Sequence, residues 1–138
     1  AMSRLGALLL ALGELDEAEK LLHESLAVRQ KLEQSESSLE FPRMYLGLVA
    51  LERGKLDAAQ ASLQHALTVW RKTLGPDAVS LSWPLLGLAR IALRRGQVQQ
   101  AQTLSSRALA LRVKAYPAGH AAIARARAIH ERATQAGP

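Results

Sequence analysis

The chain contains no cysteine and no asparagine, and aromatic residues make up only 4% of its 138 positions. Without cysteine there is no disulfide framework, no zinc–thiolate site and no thiol nucleophile. With so few aromatic rings to stack on bases, a nucleic-acid reader is not expected. The longest apolar run, Leu5-Gly6-Ala7-Leu8-Leu9-Leu10-Ala11-Leu12, falls far short of the ~18–20 residues of a membrane span, so no membrane partner is expected either. Proline and glycine are sparse, and no run of β-branched residues suggests a strand. What is present is rich in alanine and leucine, with 49% hydrophobic and 22% charged residues. That composition favours helices around a packed core and argues against disorder. The length suits one domain or a section of a repeat array.

The formal net charge of +6 is unevenly spread. Residues 1–69 carry 7 Lys and Arg against 10 Asp and Glu, a net of −3, whereas residues 70–138 carry 11 against 2, a net of +9. Such a gradient points to an acidic partner for the C-terminal half, or to end-to-end association of the acidic half with the basic one. The plainer reading is a solvated basic face.

An internal repeat organises the rest. Gly13-Glu14-Leu15-Asp16-Glu17-Ala18, Gly54-Lys55-Leu56-Asp57-Ala58-Ala59 and Gly96-Gln97-Val98-Gln99-Gln100-Ala101 align without gaps, with glycines 41 and 42 residues apart. Seven residues before each glycine stands a small residue preceded by leucine: Leu5-Gly6, Leu46-Gly47 and Leu88-Ala89. Ser25-Leu26, Ala66-Leu67 and Ala108-Leu109 follow at a constant distance. Apolar residues recur at helical spacing on both sides of each glycine. The glycine can take positive φ and end a first helix, so that the chain reverses into a second. Small residues at Gly6, Gly47 and Ala89 let the two helices approach closely; glycine inside a helix costs about 1 kcal/mol relative to alanine, so contact explains it better than chance. Gly137 continues the period, giving three repeats and the first helix of a fourth.

These residues resemble the tetratricopeptide repeat, in the longer variety of about 42 residues found in kinesin light chains. Leu74-Gly75-Pro76-Asp77 matches the connector of that variety, and Tyr116-Pro117-Ala118-Gly119-His120 is a degenerate copy of it. The resemblance covers essentially the whole chain. It implies an all-α fold, an α-α superhelix or right-handed solenoid of about seven helices, with repeats at about 1–37, 38–77 and 78–118 and a final helix over 119–136. The individual helices are expected near 2–12, 14–33, 38–53, 55–74, 78–95, 97–115 and 119–136.

Local chemistry refines the boundaries. Ser37-Ser38-Leu39-Glu40 reads as a capping box, Asp77 as an N-cap and Pro42 as a first-turn residue. Pro84 lies about two turns beyond Asp77, so the fifth helix should kink there or else start late, near Ser82; the kink is the favoured expectation. Ser105-Ser106 reads as a loosely packed edge.

The family's concave face is lined by first helices and usually holds peptides. Carried onto this sequence, the groove comprises Met44, Leu48, Leu51, Trp83, Leu86, Arg90, Leu93, Arg94 and Arg127: apolar, with basic residues at its C-terminal end. The complementary ligand is an apolar peptide or helix carrying acidic residues. The Lys and Asn of the family's carboxylate clamp are replaced here by Ser3, Ala7, Met44 and Leu48, so that clamp is not expected. Nothing supports catalysis, a metal site or a cofactor: His23, His65, His120 and His130 are scattered and read as surface residues, the acidic run Glu14–Glu19 complements a helix start, and no nucleophile elbow or phosphate loop is present.

The sequence therefore reads as a non-catalytic protein–protein interaction module, a scaffold or adaptor from a larger cytoplasmic protein. A second reading is a self-assembly module: Leu8, Leu9, Leu12 and their neighbours would leave an apolar edge that drives homodimerisation, or the acidic and basic halves of successive copies would meet. A more distant alternative is nucleic-acid binding by the arginines of the basic C-terminal half, Arg132 among them.

Overall fold

The computed structural model describes the backbone of residues 2–137 and side chains from Arg4 onward, so the expectation for the Ser3 side chain lies outside what is described. It contains helices α1 (Met2–Ala11), α2 (Leu15–Lys31), α3 (Glu36–Glu52), α4 (Leu56–Leu74), α5 (Ser82–Arg94), α6 (Val98–Ala115) and α7 (Ala121–Gln135), with a 3₁₀ turn at Val79–Leu81. No strand occurs among the described residues. The chain divides into two compact units, Ala1–Val69 and Trp70–Pro138, with the boundary inside α4. These are also the acidic and basic halves of the sequence.

The repeat glycines act as the sequence predicts. Gly13, Gly54 and Gly96 have φ of +80°, +76° and +73°. At each, the glycine N–H reaches back three residues and the next N–H five, as in Gly13 to Leu10 at 3.1 Å and Glu14 to Leu9 at 2.8 Å. This paired closure satisfies the last carbonyls of the first helix and turns the chain.

In the first unit α1 packs on α2, and α2 on α3. Ala18, Leu22 and Val49 form a buried cluster, with Leu9, Leu10, Leu15, Tyr45 and Leu46 against it. The small-residue expectation holds at close range: a Cβ on Gly6 would stand 2.8 Å from the Leu22 side chain, and one on Gly47 2.9 Å from Ser62 Cβ. In the second unit α5 packs on α6, and α6 on α7, around Ala92, Ala101 and Ala133 with Leu93 against them.

Proline positions depart from expectation in opposite ways. Helix α3 begins at Glu36, capped by Ser35, whose hydroxyl accepts the Ser38 N–H at 3.2 Å. The capping box at Ser37–Glu40 is therefore not used, and Pro42 lies inside the helix rather than in its first turn. Proline cannot donate to the carbonyl four residues back, and that carbonyl, Ser38 O, instead accepts a 2.6 Å bond from Arg29 Nη1. Pro84 makes no kink. The 3₁₀ turn absorbs the approach and α5 starts at Ser82, leaving Pro84 in the first turn, where an N–H would have no helical partner. Asp77 caps nothing; it lies 3.9 Å from Arg107, which also donates to Pro76 O at 2.6 Å.

Arg29→Ala is expected to cost about 1–2 kcal/mol, the scale of a partly buried carbonyl left without its donor. In Pro42→Ala, whose restored N–H can serve Ser38, the same change should cost less. Denaturant unfolding of the four-member cycle checks this, and additive losses would show that the two residues act independently.

Ser105 is not a loose edge. It is fully buried, its hydroxyl donates to Ala101 O at 2.7 Å, and it lies 2.9 Å from His130 Nδ1. By repeat count Ser105 holds the position of Leu22 and Leu63. The repeats with glycine in the first helix carry leucine here, and the repeat with Ala89 carries serine.

Candidate peptide-binding surface

The second unit presents an open recess of about 420 Å³ lined by Arg90, Leu93, Arg94 and Arg132. Arg90 and Arg94 are one helical turn apart on α5, with Leu93 beside them, and Arg132 comes from α7, which packs against α5. Arg94 ends α5, where a cation also complements the helix dipole. Three guanidinium groups around one apolar side chain suit a carboxylate ligand, because arginine offers a planar fork of donors that binds carboxylate in a bidentate manner.

The sequence-derived groove is only partly assembled. Met44 and Leu51 are 0% exposed and Leu86 is 6% exposed: these three side chains belong to the core and cannot meet a ligand. Leu48, Trp83, Arg90 and Leu93 are half-buried, and Arg94 and Arg127 are exposed. Arg127 does not line the recess; Arg132 does. Sequence reasoning places Arg132 only among the basic residues of the nucleic-acid alternative, and the adjacency of α5 and α7 is what brings it to Arg90 and Arg94. Trp83 is turned to a structural task, with the Arg112 guanidinium 4.3 Å above its ring.

Arg112 is itself buried. Its Nε donates to Ser82 Oγ at 2.9 Å and its Nη1 to Ala122 O at 2.8 Å, while Nη2 finds no partner among the described residues. Burial pushes this guanidinium below its ordinary pKa, because desolvation disfavours the charged form.

The first unit holds a different polar centre. Glu40, fully buried, is 2.6 Å from His65 Nδ1 and 2.9 Å from Arg43 Nη1, and Arg43 also contacts Glu36 at 3.1 Å. Glu36, Glu40 and His65 could in geometry surround a cation, but Arg43 is the positive charge that bridges the two carboxylates. Its hydrogen bond to Glu40 raises its pKa above the usual arginine value. The histidines are less idle than their scatter suggests: His65 pairs with Glu40, His130 with Ser105, and His120 caps α7, its Nδ1 accepting the Ala122 N–H at 3.0 Å.

Comparison with known proteins bears on this geometry. Family models described as tetratricopeptide repeat match residues 40–114 and residues 1–37. The chain belongs to the tetratricopeptide-repeat family. Its fold is similar to the nearly identical TPR-like repeats of a Podosopora anserina kinesin-light-chain protein (24% identity, TM-score 0.76, 98% of this chain and 64% of that one). A singly substituted form of those repeats matches at 23% identity with a TM-score of 0.76, over 98% and 64% of the two chains. BtubC (BKLC) from P. vanneervenii matches at 20% identity with a TM-score of 0.74, over 98% and 54%. The chain thus spans less than two thirds of the length of these solved chains. No curated protein matches it. Tetratricopeptide repeats are non-catalytic scaffolds for protein–protein interaction, and no described helix is long and apolar enough to cross a membrane.

Proposed function

We propose that the chain is a non-catalytic interaction module that captures a peptide or helix bearing acidic and apolar residues at the α5/α7 recess. The observation that supports this is the convergence of Arg90, Arg94 and Arg132 around Leu93, within the half of the sequence whose net charge is +9. Long-range attraction by that charge speeds encounter, and forked bonds from the arginines hold carboxylates in register. Leu93 supplies an apolar contact that a purely ionic surface would lack.

The test uses fluorescent peptides alternating glutamate with leucine, and lysine with leucine as a control, titrated with the chain. The acidic peptide is expected to bind and to weaken as salt rises, because the contacts are open to solvent. Arg90→Glu and Arg132→Glu should each weaken it by about tenfold or more, the equivalent of ~1.4 kcal/mol or more, with helicity unchanged. Equal binding of both peptides, or indifference to either substitution, would remove the recess from the account.

A further inference from the structure

We propose that the α5/α7 recess reads phosphorylation: Arg90, Arg94 and Arg132 enclose the phosphate of a phosphoserine or phosphothreonine on a partner peptide, and a neighbouring apolar residue of that peptide rests on Leu93. This deepens the acidic-peptide reading, on which it rests, by naming the group that fills the recess.

The placement of the three arginines favours one multivalent anion over a string of carboxylates. Arg90 and Arg94 stand four residues apart on α5, about 6 Å along its axis, and share one face. Arg132 comes from α7, so the three cations border one recess of about 420 Å³ from two helices and do not form a row. A run of glutamates along a strand or helix asks for a row, with one cation to each carboxylate. A ring around one hollow asks for a single group with several acceptors. A carboxylate has two oxygens, which one guanidinium fork already engages. A phosphate monoester presents three acceptor oxygens and carries a charge of about −1.5 to −2 at pH 7. It can therefore accept from more than one side, and it draws roughly twice the Coulomb attraction from the same cations. All three cations are arginine, whose planar fork matches phosphate geometry.

Leu93 narrows the class of molecule. It is half-buried and packs against Ala92, Ala101 and Ala133, so what it shows to the recess is a fixed apolar floor. A free phosphate or a sugar–phosphate backbone has nothing to lay on leucine. No aromatic residue among the described lining residues is there to stack a base. A peptide with an apolar side chain beside its phosphate uses both features. Helices α5 and α7 pack against each other, and both pack against α6, so the hollow has its two walls in place.

Three peptides of one sequence, with serine, glutamate or phosphoserine set between leucines, test this by fluorescence anisotropy. The phosphoserine peptide is expected to bind about tenfold or more tighter than the glutamate peptide, and the serine peptide weakest of all. Arg132→Gln, at an exposed position where helicity should be kept, opens the ring and should abolish most of that preference. Arg127→Gln removes the same charge outside the recess and should leave the preference unchanged. Equal binding of the glutamate and phosphoserine peptides would overturn the proposal and leave the acidic-peptide reading standing, whereas failure of both would remove the recess altogether. An equal loss of preference in Arg127→Gln would overturn it in favour of a diffuse field from the basic half. An oligouridylate that displaces the phosphoserine peptide as well as unlabelled phosphoserine peptide does, at equal phosphate concentration, would overturn it in favour of a nucleic-acid backbone.

Discussion

Arg112→Ala is expected to destabilise the second compact unit by about 3–5 kcal/mol. Arg112 is 1% exposed, and truncating it removes the donors to Ser82 Oγ and Ala122 O. It also empties the space above the Trp83 ring. Lost packing and orphaned buried acceptors add in the same direction. Arg112→Met separates the contributions. It retains a long side chain against Trp83 and discards a buried charge with one unmatched nitrogen, and replacing a buried ion by apolar bulk is often close to neutral. Methionine should therefore cost far less than alanine. Urea unfolding followed by tryptophan fluorescence reports it, because both Trp70 and Trp83 lie in this unit. Equal losses for the two variants would mean that the hydrogen bonds, rather than the packing, hold the site. The sign of the pKa shift bears on conditions. A base whose folded pKa is lowered binds its proton less tightly in the fold, so stability gains as pH rises through that value. Arginine titrates far above neutrality, and no slope from Arg112 is expected near neutral pH.

Gly47→Val is expected to cost about 2–4 kcal/mol in the first unit. A Cβ at Gly47 meets Ser62 Cβ at 2.9 Å, an atom fixed to the α4 backbone, so relief requires the helices to part rather than a side chain to turn. Even Gly47→Ala, which gains about 1 kcal/mol of helix propensity, should be destabilising on balance. Gly6→Ala should be milder, because the atoms it meets belong to the Leu22 side chain. Denaturant midpoints rank the three, and Ser62→Gly should restore part of the loss in Gly47→Ala. A stabilising Gly47→Ala would show that the close approach is not what glycine serves there.

Much of this architecture is legible in the sequence because it rests on local chemistry repeated in phase. The glycines at 13, 54 and 96 report a backbone conformation that other residues rarely adopt, and Gly6 and Gly47 report proximity. What is not legible depends on side chains that meet across helices. Pro42 and Pro84 occupy the same repeat position, yet one lies within a helix and one near its start. The difference is a donor supplied by Arg29 to one backbone carbonyl. Glu40 reads as a capping residue until His65 and Arg43 are seen to enclose it. The register of the family places Met44, Leu51 and Leu86 in a groove, but apolar residues on a first helix serve core and ligand equally well, and burial alone separates them. Arg132 enters the recess by the neighbourhood of α5 and α7, which no spacing within one helix encodes.

Arg29 and Arg112 hold the same position sixteen residues after their repeat glycines, and each clasps a main-chain oxygen, of Ser38 and of Ala122, near the beginning of the following helix. A grip on the peptide group is blind to which amino acid carries it. Drift in the linking segments, so different between Gln34-Ser35-Glu36 and Tyr116-Pro117-Ala118, is thereby tolerated while the joint persists, and mutation of either arginine should be far less forgivable over evolutionary time than mutation of the residues it holds.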